Sequence, residues 1–284
     1  MKTSEIKTLF VTAALGDKYV KRCLLSLNAF NKLDYDKNDK VIVVTDDVEA
    51  FKNVTLHTDF EVVPYYLPDK WPVVNKDNFR TNTIVKLLLF ADSVKKDKDH
   101  NLSIWFDCDA FPIVKKEKLQ DYNNYDGGFY YKDSHILDNE DEVLCHHLWS
   151  RGIRYYNNLD FVYSVTKSPE NKIAKNENNK FCFPIETTFF LKRDIDNLNY
   201  KAKENKFYVL THDIVRYCLH NHLDDTYGES FELGIIIGNS FGICKQAPVI
   251  PMYCDMHIIP KHNAEEDLEH IKQNNTQMYE NYLS

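Results

Sequence analysis

The pattern of apolar and polar positions changes period several times along the first hundred residues. Leu9 to Ala14 is an apolar run interrupted only by Thr12 and reads as a β-strand. Tyr19 to Phe30 (YVKRCLLSLNAF) then places its apolar residues at helical spacing. Val41 to Thr45 (VIVVT) is a second strand, ending at Asp46-Asp47, and FEVVPYYL is a third. NTIVKLLLFADSV reads as a buried helix, and NLSIWFDCDAFPI as the strand that follows it. Strands alternating with helices predict an α/β fold on a mixed, mainly parallel sheet, in which ligands sit beyond the carboxyl ends of the strands.

From Lys115 to Lys180 the pattern becomes polar and irregular, with YDGGFYYKD and NKIAKNENNK as its clearest loop signals. This stretch predicts a wall or lid over a site. Strand character returns in FCFPIETTFFLKRD, THDIVRYCLHNHL and FELGIIIGNSFG read as helices, and APVIPMYCDMHII reads as a late strand. The tail from Glu265 predicts a polar, partly amphipathic helix. Neither a repeat nor a long linker divides the chain, so the expectation is one Rossmann-like domain over 1–264. Its halves are expected at 1–114 and 115–264, and a terminal helix covers 265–284.

Composition narrows the function classes. With 284 residues, 43% of them hydrophobic, the chain can bury a sizeable core. The net charge of −8 supplies no general attraction to nucleic acid or anionic membrane, although a local basic groove is compatible with it. Seven scattered cysteines without a Cys-x-x-Cys pair suit reduced thiols. No apolar run approaches the ~18 residues of a membrane span, so the expected location is the cytoplasm. Abundant Lys, Asn, Asp and Tyr beside only 8 Gly hint at an AT-rich genome, such as that of a phage, and then at a host cytoplasm.

The chemistry concentrates in Ile104 to Ile113, IWFDCDAFPI. Burying an unpaired carboxylate costs several kcal/mol, so two aspartates inside an apolar run mark either a strand end open to water or a held cation. Strand side chains alternate faces. Asp107 and Asp109 therefore point the same way, about 6.6 Å apart, with Cys108 on the other side. Two hard oxygen donors so placed suit Mg²⁺ or Mn²⁺ carrying phosphate oxygens.

With these residues the chain resembles the GT-A glycosyltransferases, whose Asp-x-Asp ends a central strand and holds the metal of a nucleotide-sugar. Among them it is most similar to the retaining family of the blood-group A/B and α-1,3-galactosyl transferases. TLFVTAALGDKYV is similar to that family's first strand and following Tyr, VVTDDV to its second strand, KWPVVNKDNFRTNTIVKLLLFADSV to its Trp, Arg and helix segment, and PVIPMYCDMHII to its late strand. The resemblance implies transfer of a sugar, with retention, from a nucleoside-diphosphate sugar of the UDP type to an acceptor hydroxyl. Thr12, Ala13 and Tyr19 would contact base and ribose, or serve as packing residues. Trp71 and Arg80 would lie over the nucleotide and its diphosphate, where the Arg fork matches phosphate oxygens. Lys86 would face phosphate or else snorkel to solvent.

For the sugar, GESFEL aligns Glu229 with the family's carboxylate beneath the anomeric carbon, with Gly228 in place of its Asp. Glu232 is the second candidate. Either could act as nucleophile or stabilise an oxocarbenium-like transition state, or simply favour a helix dipole. The resemblance also places Glu186 in the region where that family reads donor and acceptor hydroxyls. Asp255 and His257 share a strand face, and the resemblance to GT-A branches that use a late His as third metal ligand and a following Lys for phosphate implies those roles for His257 and Lys261, His257 otherwise being a hydrogen-bonded core histidine. Cys145-His146-His147 is a poor metal site because adjacent side chains diverge, and His212, His220 and His222 fare no better.

Three other readings compete. A haloacid-dehalogenase-type phosphohydrolase also uses Asp-x-Asp after a strand, but wants Thr or Val where this chain has Phe111, and wants the motif near its start. A sugar-phosphate nucleotidyltransferase would want a Gly-rich loop near the N-terminus. A non-catalytic nucleotide-sugar binder is the third possibility. The acceptor stays open between a hydroxymethylated base of phage DNA, which would need base flipping, a glycan, a protein and a lipid-linked acceptor.

Overall fold

The computed structural model describes residues 6–66, 79–108, 115–124, 126–129, 136–137, 174–176, 178–182, 189–194, 196–220, 230–241 and 245–246, with positions 266, 269, 272–273 and 276–280 of the tail. These fall into two compact units. The first takes its residues from 1–66, 99–123 and 249–284, the second from 67–98 and 124–248.

In the first unit, β1 (Thr8–Ala14) lies between β2 (Lys40–Thr45) and β4 (Leu102–Trp105), and β3 (Asp59–Pro64) extends the sheet beyond β2. Every pairing here is parallel: Ala14 sits opposite Thr45, Thr45 opposite Pro64, and Val11 opposite Trp105. All carboxyl ends therefore lie along one edge. β1 and β2 are buried almost throughout, as interior parallel strands covered on both faces must be. β3 alternates exposed and half-buried positions, and its Glu61 pairs with Lys40 at 2.5 Å. α1 (Asp17–Phe30) covers one face. The Phe10 ring meets Phe30 edge-on at 5.0 Å and Tyr35 at 4.9 Å, and Phe106 lies 5.6 Å from Phe30. Phe10 and Phe106 thus face α1, and by alternation Leu9, Val11 and Ala13 face away from it.

The amino-terminal edge of this sheet is closed by a buried carboxylate. Asp39 accepts the amide of Thr8 (2.9 Å) through Oδ1, and the amide of Asp36 (3.1 Å) and the Lys116 ammonium (2.9 Å) through Oδ2. The Lys116 amide in turn donates to Asp34 Oδ1 at 2.9 Å. Burial alone would lower the Lys116 pKa. The hydrogen bond and charge of Asp39, helped by Asp36, outweigh that and hold it above the ordinary lysine value.

In the second unit, β5 (Gly127–Phe129) runs antiparallel to β8 (Phe189–Lys192) and parallel to β9 (Lys245–Gln246). A short antiparallel pair joins β6 (Ile136–Leu137) to β7 (Phe181–Cys182). α2 (Phe79–Lys96) packs on α3 (Leu198–His220), and α3 on α4 (Ser230–Phe241). From Ile84 to Val94 every position of α2 is buried, the mark of a helix enclosed on all sides. Phe90 meets Phe189 at 4.7 Å and Phe207 at 6.3 Å, and Phe207 meets Phe241 at 6.0 Å, so one aromatic chain links strand and helices. Arg193, 5% exposed, ties the end of β8 to Asp97 Oδ2 (2.6 Å) and Glu204 Oε1 (2.9 Å).

The fold is α/β, with parallel pairings throughout the first unit and a mixed set in the second, as the periodicity predicts. Three local expectations are corrected. YDGGFYYKD reads as a loop, yet Gly127 to Phe129 is a fully buried strand. A Cβ at Gly127 would meet Leu191 Cδ2 and Phe241 Cδ2 at 3.1 Å, so glycine serves close packing there and not a turn. Gly127→Ala should accordingly cost about 1–3 kcal/mol through overpacking, read as a lower urea midpoint at unchanged slope. The polar stretch from Lys115 contains a 3₁₀ helix, Lys116–Asn124, anchored by the Asp39 network. The fourth strand ends at Trp105, because its last ladder bond is the Phe106 amide to the Val11 carbonyl at 3.1 Å. The late strand at 247–259 lies outside the described residues.

Candidate functional site

Polar residues also gather at the carboxyl edge of the first unit, Asp46 and Asp107 among them. β1 ends at Ala14, and the turn into α1 passes through Gly16 at φ +86°, a left-handed conformation that glycine adopts without strain. The Gly16 carbonyl accepts the amides of Tyr19 and Val20, both at 3.0 Å, and the Gly16 amide donates to Asp46 Oδ1 at 3.0 Å. Asp46 is exposed just past β2. Beside it Asp47 accepts the Ala50 amide at 3.2 Å and caps the 3₁₀ turn Val48–Phe51, which absorbs this second carboxylate into the fold.

Past β3, the Tyr65 amide donates to the Thr45 carbonyl at 2.7 Å. Its phenol oxygen is buried and makes no hydrogen bond among the described residues. Burial, and then the charge of Asp46, pushes the Tyr65 pKa up to about 12, so the phenol stays a neutral donor.

Asp107 follows β4 at this edge and is half-buried. Its Oδ1 accepts the indole N–H of Trp105 at 3.0 Å. Trp105 pairs with Val11, so indole and carboxylate lie on the sheet face turned away from α1, the same face as Ala13. The donors available there are carboxylate oxygens. The Cys108 thiol is buried, 7% exposed, and withdrawn from solvent. A hard-oxygen site of this kind fits Mg²⁺ or Mn²⁺ better than a thiophilic metal. Among the described residues no group of three or more His, Cys, Asp and Glu side chains forms a complete metal cage. An ion held through Asp107 would thus draw its remaining oxygens from elsewhere, as Mg²⁺ does from water and phosphate.

Of the residues nominated from sequence, the structure brings Ala13, Tyr19 and Asp107 to this edge. Tyr19 is half-buried in the first turn of α1, with Lys18 Nζ 5.9 Å from its ring centroid. Thr12 is fully buried on the α1 side, and its hydroxyl makes no hydrogen bond among the described residues. In the second unit, Lys86 is buried within α2 at 7% exposure and so does not snorkel to solvent. Glu232 is buried at 3% exposure in the first turn of α4, where the helix dipole favours a carboxylate. Arg80 lies in the first turn of α2, and nothing of its side chain is described. Trp71, Asp109, Glu186, Glu229, His257 and Lys261 lie outside the described residues, as do Cys145, His146, His147 and His222.

His212 is accounted for structurally: its Nε2 meets Asp92 Oδ1 at 2.8 Å, joining α3 to α2. Asp46, Tyr65 and Trp105 are the residues that sequence reasoning missed. VVTDD carries the same signal as IWFDCD, an apolar strand ending in two acids.

No protein-family model matches the chain, and no curated protein matches it. Among solved structures the chain is similar to the crystal structure of core-mannan synthase A from Aspergillus fumigatus in a Mn/GDP form. Identity is 10%, the match covers 84% of this chain and 71% of that one, and the TM-score is 0.42. No helix among the described residues is long and apolar enough to cross a membrane.

Proposed function

We propose that the chain is a metal-dependent glycosyltransferase of the GT-A type, moving a sugar from a nucleoside-diphosphate sugar to an acceptor hydroxyl with retention. The observation that carries this reading is Asp107, a half-buried carboxylate presented at the carboxyl edge of a parallel sheet. Ligands of open α/β sheets bind at that edge. The order of motifs in the sequence supports the same reading.

A Mn²⁺ or Mg²⁺ ion held by Asp107 and Asp109, with His257 as a third ligand, would supply Lewis-acid stabilisation of the departing diphosphate. The chain's own residues do the rest. Ala13 and Tyr19 border the nucleoside, with Thr12 supporting them from the core, and Trp71 covers it. Arg80, Lys86 and Lys261 neutralise phosphate oxygens. Glu229 sits beneath the anomeric carbon as nucleophile or electrostatic stabiliser, Glu232 is the second carboxylate for the sugar, and Glu186 reads donor and acceptor hydroxyls. The donor is a UDP-sugar. The acceptor is a hydroxymethylated base of phage DNA or a glycan hydroxyl, met in the cytoplasm. On this reading residues 1–264 act as one catalytic domain.

The test is a panel of nucleotide-sugars with Mn²⁺, scored by release of nucleoside diphosphate, in the parent chain and in Asp109→Ala. Metal-dependent release that the substitution abolishes supports the reading. Turnover unaltered by Asp109→Ala overturns it, and metal-dependent cleavage of a simple phosphate monoester instead would point to a phosphohydrolase.

A further inference from the structure

We propose that Trp105 is the positioning residue for Asp107, its indole N–H fixing the carboxylate in the orientation that receives a divalent cation. The inference rests on the reading of Asp107 as a metal ligand and adds the residue that makes it a good one.

The indole cannot move independently of the sheet. Trp105 is 1% exposed, ends β4, and pairs with Val11, and the next amide, of Phe106, is bonded to the Val11 carbonyl at 3.1 Å. A buried indole N–H needs an acceptor, and here it has Asp107 Oδ1 at 3.0 Å. The pairing is local, two residues apart in sequence, so the chain leaving β4 brings carboxylate and indole within reach of each other.

The donor's chemistry suits the role. An indole N–H donates only. It takes up no proton, offers no lone pair to a metal and carries no charge. It therefore holds an ionised carboxylate by a charge-assisted bond without competing for the cation. A Lys or Arg in its place would hold the carboxylate equally well, yet would put a positive charge beside the ion. Hydrogen-bond partners behind a metal-ligating side chain commonly contribute ten- to a hundredfold in metal affinity or activity, because an unheld carboxylate must be ordered on binding.

The experiment is Mn²⁺ binding, followed by electron paramagnetic resonance of the free ion, in the parent chain, Trp105→Phe and Asp107→Asn. Phe keeps most of the buried ring and removes the N–H. The dissociation constant for Mn²⁺ should rise about tenfold in Trp105→Phe, and the rise in thermal midpoint produced by Mn²⁺ over EDTA should shrink accordingly. A role in packing alone would lower both midpoints together and leave the Mn²⁺ affinity unchanged. Unchanged affinity in Trp105→Phe alongside lost binding in Asp107→Asn overturns the positioning role and leaves the metal reading standing. Unchanged binding in Asp107→Asn overturns the metal reading itself.

Should Trp105→Phe fail to fold, the parent chain still decides the matter. It has three tryptophans, so its indole ¹⁵N–¹H resonances can be assigned with Trp71→Phe and Trp149→Phe. The Trp105 resonance should move on titration with diamagnetic Mg²⁺, and an indole signal indifferent to Mg²⁺ would sink the proposal.

Discussion

Asp107→Asn is expected to lower kcat/KM for sugar transfer by about a thousandfold, with no recovery at higher Mn²⁺. The substitution keeps the side chain's size and its ability to accept the Trp105 N–H, but removes the charge that a cation needs. Losing one preorganised electrostatic group at a reacting centre typically costs a hundred- to a thousandfold, and a thousandfold corresponds to about 4 kcal/mol of transition-state stabilisation. Because Asp107 is half-buried beyond the last ladder bond of β4, thermal stability in EDTA should hardly change. Steady-state kinetics over a Mn²⁺ titration, paired with an EDTA melt, separates the two quantities. A loss of activity tracking a loss of stability would speak against a role in the chemistry.

The opposite edge of the same sheet should respond in the opposite way. Asp39→Ala is expected to destabilise the fold by about 3–5 kcal/mol and to leave Mn²⁺ affinity untouched in the protein that remains folded. Asp39 is fully buried and accepts from the Thr8 amide, the Asp36 amide and Lys116. Its removal leaves all three donors without this acceptor, and an unsatisfied buried donor costs about 1–3 kcal/mol. Lys116→Ala should cost less, since Asp39 would keep both amides.

The sign with pH follows from the raised pKa of Lys116. Its contribution is complete below the ordinary lysine value of about 10.4 and is lost as pH rises through the raised folded value. Urea unfolding at neutral pH therefore reads the whole effect, and at strongly alkaline pH the gap between parent and Lys116→Ala should narrow. A midpoint for Asp39→Ala equal to the parent's would contradict the role given to this network.

The sequence revealed most about the first unit. β1, β2 and α1 were legible because parallel interior strands are uniformly apolar and a surface helix carries a single stripe. α2 was legible as a buried helix for the same reason. The fourth strand's end was not, because IWFDCDAFPI is apolar well past Trp105 and only the ladder shows where pairing stops. Gly127-Gly128 misled because glycine signals both turns and tight packing, and the Leu191 and Phe241 side chains that choose between them lie far away in sequence. α3 begins at Leu198, thirteen residues before THDIVRYCLHNHL suggests, because its first turns bury only Tyr200 and Phe207 while Lys201, Ala202, Asn205 and Lys206 face water.

The site divides in the same manner. The position of Asp107 near a strand's carboxyl end could be read from the apolar run before it. Trp105 lay in the quoted stretch and shares a face with Asp107, but that its N–H is spent on the carboxylate is a matter of rotamer, which periodicity does not encode. Asp46 and Asp47 look alike as the end of a strand in the sequence, although only Asp47 is consumed as a cap.

The central claim is that the carboxyl edge carrying Asp107 binds a nucleoside diphosphate through a divalent cation. Calorimetric titration of UDP into the parent chain, with Mn²⁺ and then with EDTA, tests it most directly. Saturable binding is expected with Mn²⁺, disappearing in EDTA and in Asp107→Asn. Binding of equal strength with and without the metal, or undiminished in Asp107→Asn, would contradict it.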